Sequence, residues 1–283
     1  MVLTTLISSD ELYEHLNDPD WAIFDCRFSL AEPQKGAHDY QSAHIPGALY
    51  ANLNDDLCGP IIPGKTGRHP LPPVSEFVQT LSQWGIDSRV QVVTYDDVGG
   101  ALAAARLWWM LRWLGHEAVA VLDGGWVHWK QNGFPVRGGI ENRPPRAFTP
   151  IHNPNLLANT KDVEKMIQDP GSLILDSRTA DRFRGENETI DPIAGHIPGA
   201  KSAPYPENLD EEGKFLPREQ LLARFNQLYN GVSAENTAFY CGSGVTAALN
   251  VLAVAHAGLG DAKLYSGSWS KWITDPSRPV ETG

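Results

Sequence analysis

Cysteine is scarce in this chain. Three residues in 283, Cys26, Cys58 and Cys241, are too few for a disulfide framework. They are also not spaced in pairs or beside histidines, as a zinc site requires. No apolar run approaches the ~20 residues of a membrane helix. The opening Met1-Val2-Leu3-Thr4-Thr5-Leu6 has neither the basic start nor the sustained apolar stretch of a signal peptide. Cations are the minority charge: 23 Lys and Arg against 34 Asp and Glu leave a net charge of -11. That balance argues against nucleic acid or an anionic membrane as partner, yet allows a small anionic substrate in a local basic pocket. A reducing, cytoplasmic setting is the expectation, and there a lone cysteine in special surroundings is a candidate nucleophile. With 42% hydrophobic and 20% charged residues, the chain can fill two ordinary cores of about 100–150 residues each.

The chain repeats itself once, in order. Ala22-Ile23-Phe24-Asp25-Cys26-Arg27 is echoed by Leu173-Ile174-Leu175-Asp176-Ser177-Arg178, and His44-Ile45-Pro46-Gly47-Ala48 returns unchanged from His196 to Ala200. Val93-Thr94-Tyr95-Asp96 parallels Ala238-Phe239-Tyr240-Cys241. Gly124-Gly125-Trp126 parallels Gly267-Ser268-Trp269, each with a second tryptophan three residues on. This is a duplication. The proline-rich stretch 141–157 between the copies reads as a semi-rigid linker joining domains 1–140 and 158–283.

Each half alternates strand and helix signals. In the first, Ser8-x-x-Glu11 opens a short helix, and strands are expected at Trp21 to Phe24, Val90 to Tyr95 and Ala118 to Leu122. Helices are expected from Ser75 and from Ala101 to Leu114. The second half matches, with strands at Leu173, Thr237 and Lys263 and helices from Pro217 and Val245. Apolar strands alternating with helices predict an α/β domain in each half, a small parallel sheet with helices on both faces.

Cys241 ends the strand that reads as buried and is followed by Gly242-Ser243-Gly244-Val245-Thr246 before a helix begins. Ligands of open α/β sheets bind at the carboxyl ends of strands, where helix N-termini offer unpaired N–H groups. Two glycines let successive N–H groups converge into an anion-binding nest around a thiolate or a persulfide. In the first half the matching residue is Asp96, a carboxylate that cannot accept a sulfane sulfur, so that half is expected to be catalytically silent. Cys26 and Cys58 lack such surroundings.

The repeated His-Ile-Pro-Gly-Ala, the Asp-x-Arg after the first strand of each half, the cysteine loop and the closing Gly-x-Trp-x-x-Trp resemble the tandem rhodanese-domain sulfurtransferases over nearly the whole chain. The resemblance implies two tandem rhodanese-like domains, the second carrying a persulfide on Cys241. Thiosulfate-using members resemble Cys-Arg-Lys-Gly-Val-Thr at the loop, whereas the neutral loop here looks like that of the 3-mercaptopyruvate-using members. A neutral loop suits a donor whose single carboxylate lies away from the sulfur. The resemblance further implies substrate binding by Arg182 and by the loop residues Gly242, Gly244, Val245 and Thr246. It assigns His69, in Thr66-Gly67-Arg68-His69-Pro70, to proton transfer. Ser243 is placed to hydrogen-bond the developing thiolate.

Two features depart from that pattern. Asn54 stands where an aspartate is usual, with Asp55 and Asp56 after it. The stretch from Gly185 to Asp191 holds no second arginine, a role that Arg68 can take if its loop folds inward. The expected reaction is a double displacement with a small anionic sulfur donor and a thiol acceptor, such as a thioredoxin-like protein, or cyanide. It requires no metal or organic cofactor. Thiosulfate as donor, a cysteine phosphatase and a non-catalytic sulfur carrier are the alternatives; the phosphatase lacks its loop arginine here. His44 and His196 are expected to be structural.

Overall fold

In the computed structural model, which describes residues 2–283, the chain forms two compact units. The first takes in residues up to Gly59, Pro72–Asn153 and Glu211–Phe215; the second takes in Pro60–Leu71, Pro154–Asp210 and Leu216–Gly283. Pro60–Leu71, which chain order assigns to the first half, is thus part of the second unit.

Each unit is built on a five-stranded parallel sheet. The first contains Leu6–Ile7 (β1), Trp21–Asp25 (β2), Leu49–Tyr50 (β3), Gln91–Tyr95 (β4) and Val119–Leu122 (β5), in the order β1-β5-β4-β2-β3. The second contains Leu157–Ala158 (β6), Leu173–Asp176 (β7), Lys201–Ser202 (β8), Thr237–Tyr240 (β9) and Lys263–Tyr265 (β10), in the order β6-β10-β9-β7-β8. The repeat in sequence is therefore a repeat in topology. Helices Ser9–Glu14 (α1), Lys35–Ser42 (α2), Val74–Gln83 (α3), Ala104–Trp113 (α4) and Gly125–Gln131 (α5) surround the first sheet. Thr160–Met166 (α6), Ala180–Arg184 (α7), Arg218–Tyr229 (α8), Ala247–Ala257 (α9) and Ser268–Trp272 (α10) surround the second. No helix among the described residues is long and apolar enough to cross a membrane.

Every residue of β4, β5, β7 and β9 is buried. A sheet covered on both faces has no solvent side, so its strands read as continuous apolar runs. On one face of the first sheet Ile23, Val93 and Leu122 pack with Leu12 of α1 and with Trp126 and Trp129 of α5. On the other, Phe24 meets Trp84 with ring centroids 4.8 Å apart, and the Thr94 hydroxyl donates to the Ala104 carbonyl of α4. The second sheet repeats this, with Ile174, Ala238 and Tyr240 against Trp269 and Trp272 of α10. Phe239 meets Phe225 of α8 edge-on.

Helix starts are where the sequence reading and the structure differ most. The helix expected from Ala101 begins at Ala104, and the one expected from Val245 begins at Ala247. In both, the intervening residues are spent on the loop that leaves the strand. The Ser8 hydroxyl caps α1 by accepting the Glu11 N–H at 3.2 Å. The proline-rich stretch has no regular structure as far as Asn153 and to that point belongs to the first unit; Pro154–Leu156 forms a single 3-10 turn and Leu157 opens β6 of the second unit. Arg143 donates to the Trp21 carbonyl at 2.6 Å, Phe148 is buried, and the Ile151 and Asn153 N–H groups donate to the Leu114 and Trp113 carbonyls.

The duplicated Asp-x-Arg and His-Ile-Pro-Gly-Ala motifs form one framework. Arg178 grips Asp176 through Nε at 3.1 Å and Nη2 at 2.6 Å, and Nη2 also donates to the Gly195 carbonyl just before His196. Arg27 makes the same bonds to Asp25 and to the Ala43 carbonyl just before His44. The guanidinium planes sit over tryptophan rings, Arg27 over Trp126 at 4.4 Å and Arg178 over Trp269 at 4.9 Å. His44 and His196 each bond a backbone carbonyl through Nδ1, of Tyr40 and of Phe183, and stack on the same residue's ring. Burial alone lowers an arginine's pKa, but the Asp176 charge and hydrogen bond push that of Arg178 up. Asp176→Ala leaves a buried cation without its partner and is expected to cost about 3–5 kcal/mol in chemical denaturation followed by tryptophan fluorescence. A loss below ~1 kcal/mol would show the pair to be dispensable.

Candidate active site

β9 is the central strand of the second sheet, paired with β10 on one side and β7 on the other. Its carboxyl end therefore opens where neighbouring strands and helix starts converge, and Cys241 is the next residue. The cysteine is 3% exposed. Its N–H donates to the Ser268 hydroxyl at 3.0 Å, and its carbonyl accepts the Trp269 N–H at 2.9 Å. Its Sγ accepts the Gly244 N–H at 3.2 Å. Gly244 has φ +76°, and a Cβ there would lie 2.3 Å from the Ser266 carbonyl oxygen. Only glycine can turn the backbone here and still present its N–H to the sulfur.

Ser268 has φ +54°, unusual for a residue with a side chain. Its hydroxyl accepts from Cys241 and donates to the Tyr265 carbonyl at 3.0 Å, which ties the loop to the end of β10. The matching residue of the first unit is Gly125, also at φ +54°.

Pro60–Leu71 brings two of the sequence-predicted residues to this loop. His69 is buried, and its Nδ1 lies 2.8 Å from the Ser243 hydroxyl. Arg68 is anchored by its own N–H, which donates to the Ser270 hydroxyl at 3.0 Å. An ideal Cβ on Gly242 would be 2.9 Å from Arg68 Nη2 and 3.6 Å from Arg182 Nη2. Both guanidinia therefore face the residue after the nucleophile candidate. Val245 and Thr246 complete the turn into α9, where the Ala248 and Leu249 N–H groups bond their carbonyls. Asn54 belongs to an exposed turn of the first unit, where its N–H donates to Asn52 Oδ1.

Two acidic residues absent from the sequence expectation occupy the arginines. Arg182 Nε donates to Glu188 at 3.0 Å, Nη2 to the same carboxylate at 2.8 Å and also to Asp191 Oδ2 at 3.3 Å. Arg68 Nη1 donates to Asp191 Oδ1 at 2.6 Å. The Glu188 and Asp191 side chains are each 2% exposed. Burial works against the Glu188 anion, but the Asp191 and Ile190 N–H groups and Arg182 hold its pKa below the usual glutamate range. Arg178 Nη1 approaches Glu188 at 3.3 Å, joining the framework pair to this cluster. The available signal in the sequence was a run of acids beside a candidate substrate arginine.

The other cysteines are poorly suited to attack. Burial, then the Asp25, Asp96 and Asp56 charges, push the Cys26 thiol well up. Burial raises that of Cys58, although Arg106 lies 3.7 Å from its sulfur and pulls the other way.

The first unit shows what the same loop does with a different residue at its start. The Asp96 carboxylate accepts backbone N–H groups from Val98, Gly100, Leu102 and Ala104 at 2.8–3.3 Å. The nest is filled by the protein's own anion. Burial pushes this carboxyl up to about 6 even against four donors that favour its charge.

The rhodanese-like domain family matches residues 8–132 and again residues 159–275. The chain is 47% identical to a probable 3-mercaptopyruvate sulfurtransferase of Pseudomonas aeruginosa, over 98% of each chain. It is 38% identical to a putative thiosulfate sulfurtransferase of Mycobacterium tuberculosis, over 93% of this chain and 91% of that one. Among solved structures it resembles the 3-mercaptopyruvate sulfotransferase SseA of Escherichia coli, with TM-score 0.81 and 32% identity, covering 95% of this chain and 100% of that one.

Asp96→Ala strands four backbone donors, those of Gly100 and Ala104 in buried bonds, and is expected to cost about 1–3 kcal/mol in thermal or urea unfolding. The same variant should still take up sulfur on Cys241 in mass spectrometry. Loss of that uptake in folded protein would contradict a silent first unit.

Proposed function

The chain belongs to the tandem rhodanese-domain sulfurtransferases, and on that premise we propose that it moves sulfur from 3-mercaptopyruvate to a thiol acceptor through a persulfide on Cys241. The observation that carries this reading is the neutral loop itself. Cys241 Sγ accepts the Gly244 N–H while Ser243, two residues on, meets His69 at 2.8 Å. A thiolate at that position has a fixed backbone donor and a hydroxyl-imidazole pair beside it.

The Cys241 thiolate attacks the donor sulfur, forming an S–S bond as the carbon–sulfur bond breaks. The electron pair leaves on carbon as the pyruvate enolate, which takes a proton supplied through Ser243 and His69. Such a pair transfers protons efficiently near neutral pH. The donor carboxylate binds at Arg182, whose Nη1 group is left by the bonds Nε and Nη2 make to Glu188 and Asp191. Arg68 supplies the second cation, and the Gly242, Gly244, Val245 and Thr246 backbone shapes the pocket floor. In the second half-reaction an acceptor thiolate attacks the outer sulfur and restores Cys241. A reducing cytoplasm supplies such thiols, and a thioredoxin-like protein fits as acceptor. Thiosulfate as donor is favoured by the presence of two guanidinia at the loop, but each already faces a carboxylate.

Mass spectrometry after exposure to 3-mercaptopyruvate should show one added sulfur on Cys241, and Cys241→Ser should lose activity by more than about 1,000-fold. Initial-rate plots should give the parallel lines of a ping-pong mechanism; intersecting lines with an unmodified cysteine would sink it. His69→Ala should lower kcat about 100-fold with little change in KM. A kcat/KM for thiosulfate above that for 3-mercaptopyruvate would reverse the donor assignment.

A further inference from the structure

The two arginines at the cysteine loop are not free cations. Arg68 and Arg182 carry two positive charges, and Glu188 and Asp191 return two negative ones. Asp191 is the carboxylate between them, held by Arg68 Nη1 at 2.6 Å and by Arg182 Nη2 at 3.3 Å. Its Oδ2 is 3.6 Å from where a Cβ on Gly242 would lie, next to the nucleophile. Its own N–H donates to Glu188 at 3.0 Å, so its backbone is fixed to the second acid of the cluster. Arg68 Nε is buried with no hydrogen-bond partner, so the pair retains donor capacity that no protein group uses.

We propose that Asp191 is a specificity-determining residue: by occupying the anion position between Arg68 and Arg182, it selects donors bearing a single carboxylate and disfavours dianionic oxyanion donors. This rests on the reading of Cys241 as the sulfur-accepting thiolate. A donor must bring its sulfur up to that thiolate. A dianion adds two charges to a site whose cations are already balanced, with a third negative charge on the sulfur. A monocarboxylate adds one, and Arg182 Nη1, which the bonds of Nε and Nη2 to Glu188 and Asp191 leave over, suits it. Discrimination of this kind comes from a built-in repulsive element rather than from a better attractive fit. The carboxylate acts so from a buried position, where the two guanidinium contacts hold it in place.

The test is Asp191→Asn, which keeps the shape and removes the charge. The kcat/KM ratio of thiosulfate to 3-mercaptopyruvate should rise about tenfold or more. The change should lie in the KM for thiosulfate, and sulfate should become a tighter competitive inhibitor. A ratio unchanged in folded Asp191→Asn protein overturns the proposal, as does a parallel fall with both donors. If that variant does not fold, the wild-type protein decides. Acetate should protect Cys241 from alkylation better than sulfate at equal ionic strength, and the reverse order overturns the proposal. Wild-type protein that takes up no sulfur from 3-mercaptopyruvate would instead overturn the functional reading beneath it.

Discussion

The Asp176–Arg178 pair is the interaction on which the second unit depends. Isolated buried charges are expensive, and this pair is sustained by the bonds Arg178 makes to the Asp176 and Glu188 carboxylates and the Gly195 carbonyl. One guanidinium clamps the end of β7, the carbonyl before the His-Ile-Pro-Gly-Ala turn and the Trp269 ring. The Trp269 N–H in turn holds the Cys241 carbonyl. Through Glu188 the same arginine reaches the charged cluster at the loop. A rigid ionic framework below thus fixes the positions of the cations above. Arg27 and Asp25 make the corresponding bonds in the first unit.

The two units are a natural comparison between a nest that holds its own anion and one that holds a sulfur. Asp96 receives four backbone N–H groups and closes its loop completely. Cys241 receives the Gly244 N–H; a tryptophan backbone N–H braces the carbonyl of each residue, Trp126 that of Asp96 and Trp269 that of Cys241, and the Ser268 hydroxyl adds a bond to the Cys241 N–H. At the matching turn the first unit uses Gly125, for which φ +54° is easy. The second uses Ser268 at the same angle, where it is costly. The strain accompanies a hydroxyl that accepts the Cys241 N–H. Backbone cost and loop bracing are linked at one residue.

Much of the fold was legible from the chain. Parallel strands buried on both faces announce themselves as apolar runs, and the motif repeat implies the same α/β domain in each half; the strand order itself is visible only in the structure. Short elements such as β1, β3 and β8 escaped, because two residues carry no period. At the candidate site, Cys241 stood out because its glycine loop is local in sequence. The meeting of His69 with Ser243 is a contact between residues far apart in the chain, beyond anything periodicity can encode. Glu188 and Asp191 have no signature in the sequence that separates them from a solvated acidic run beside arginines. Only burial to 2% distinguishes them from it.

The assignment of Pro60–Leu71 to the second unit has a consequence for modularity. A duplicated chain invites the view that either copy can be excised, swapped or evolved alone. Here the copy that carries the cysteine borrows a ribbon from the other copy's sequence, and with it Arg68 and His69. A fragment cut between the repeats would keep the thiol and leave behind the imidazole and one cation. The second half therefore cannot drift away as an independent gene with the same polar set. Retention of the first copy follows from ownership of that ribbon, whatever else that copy does.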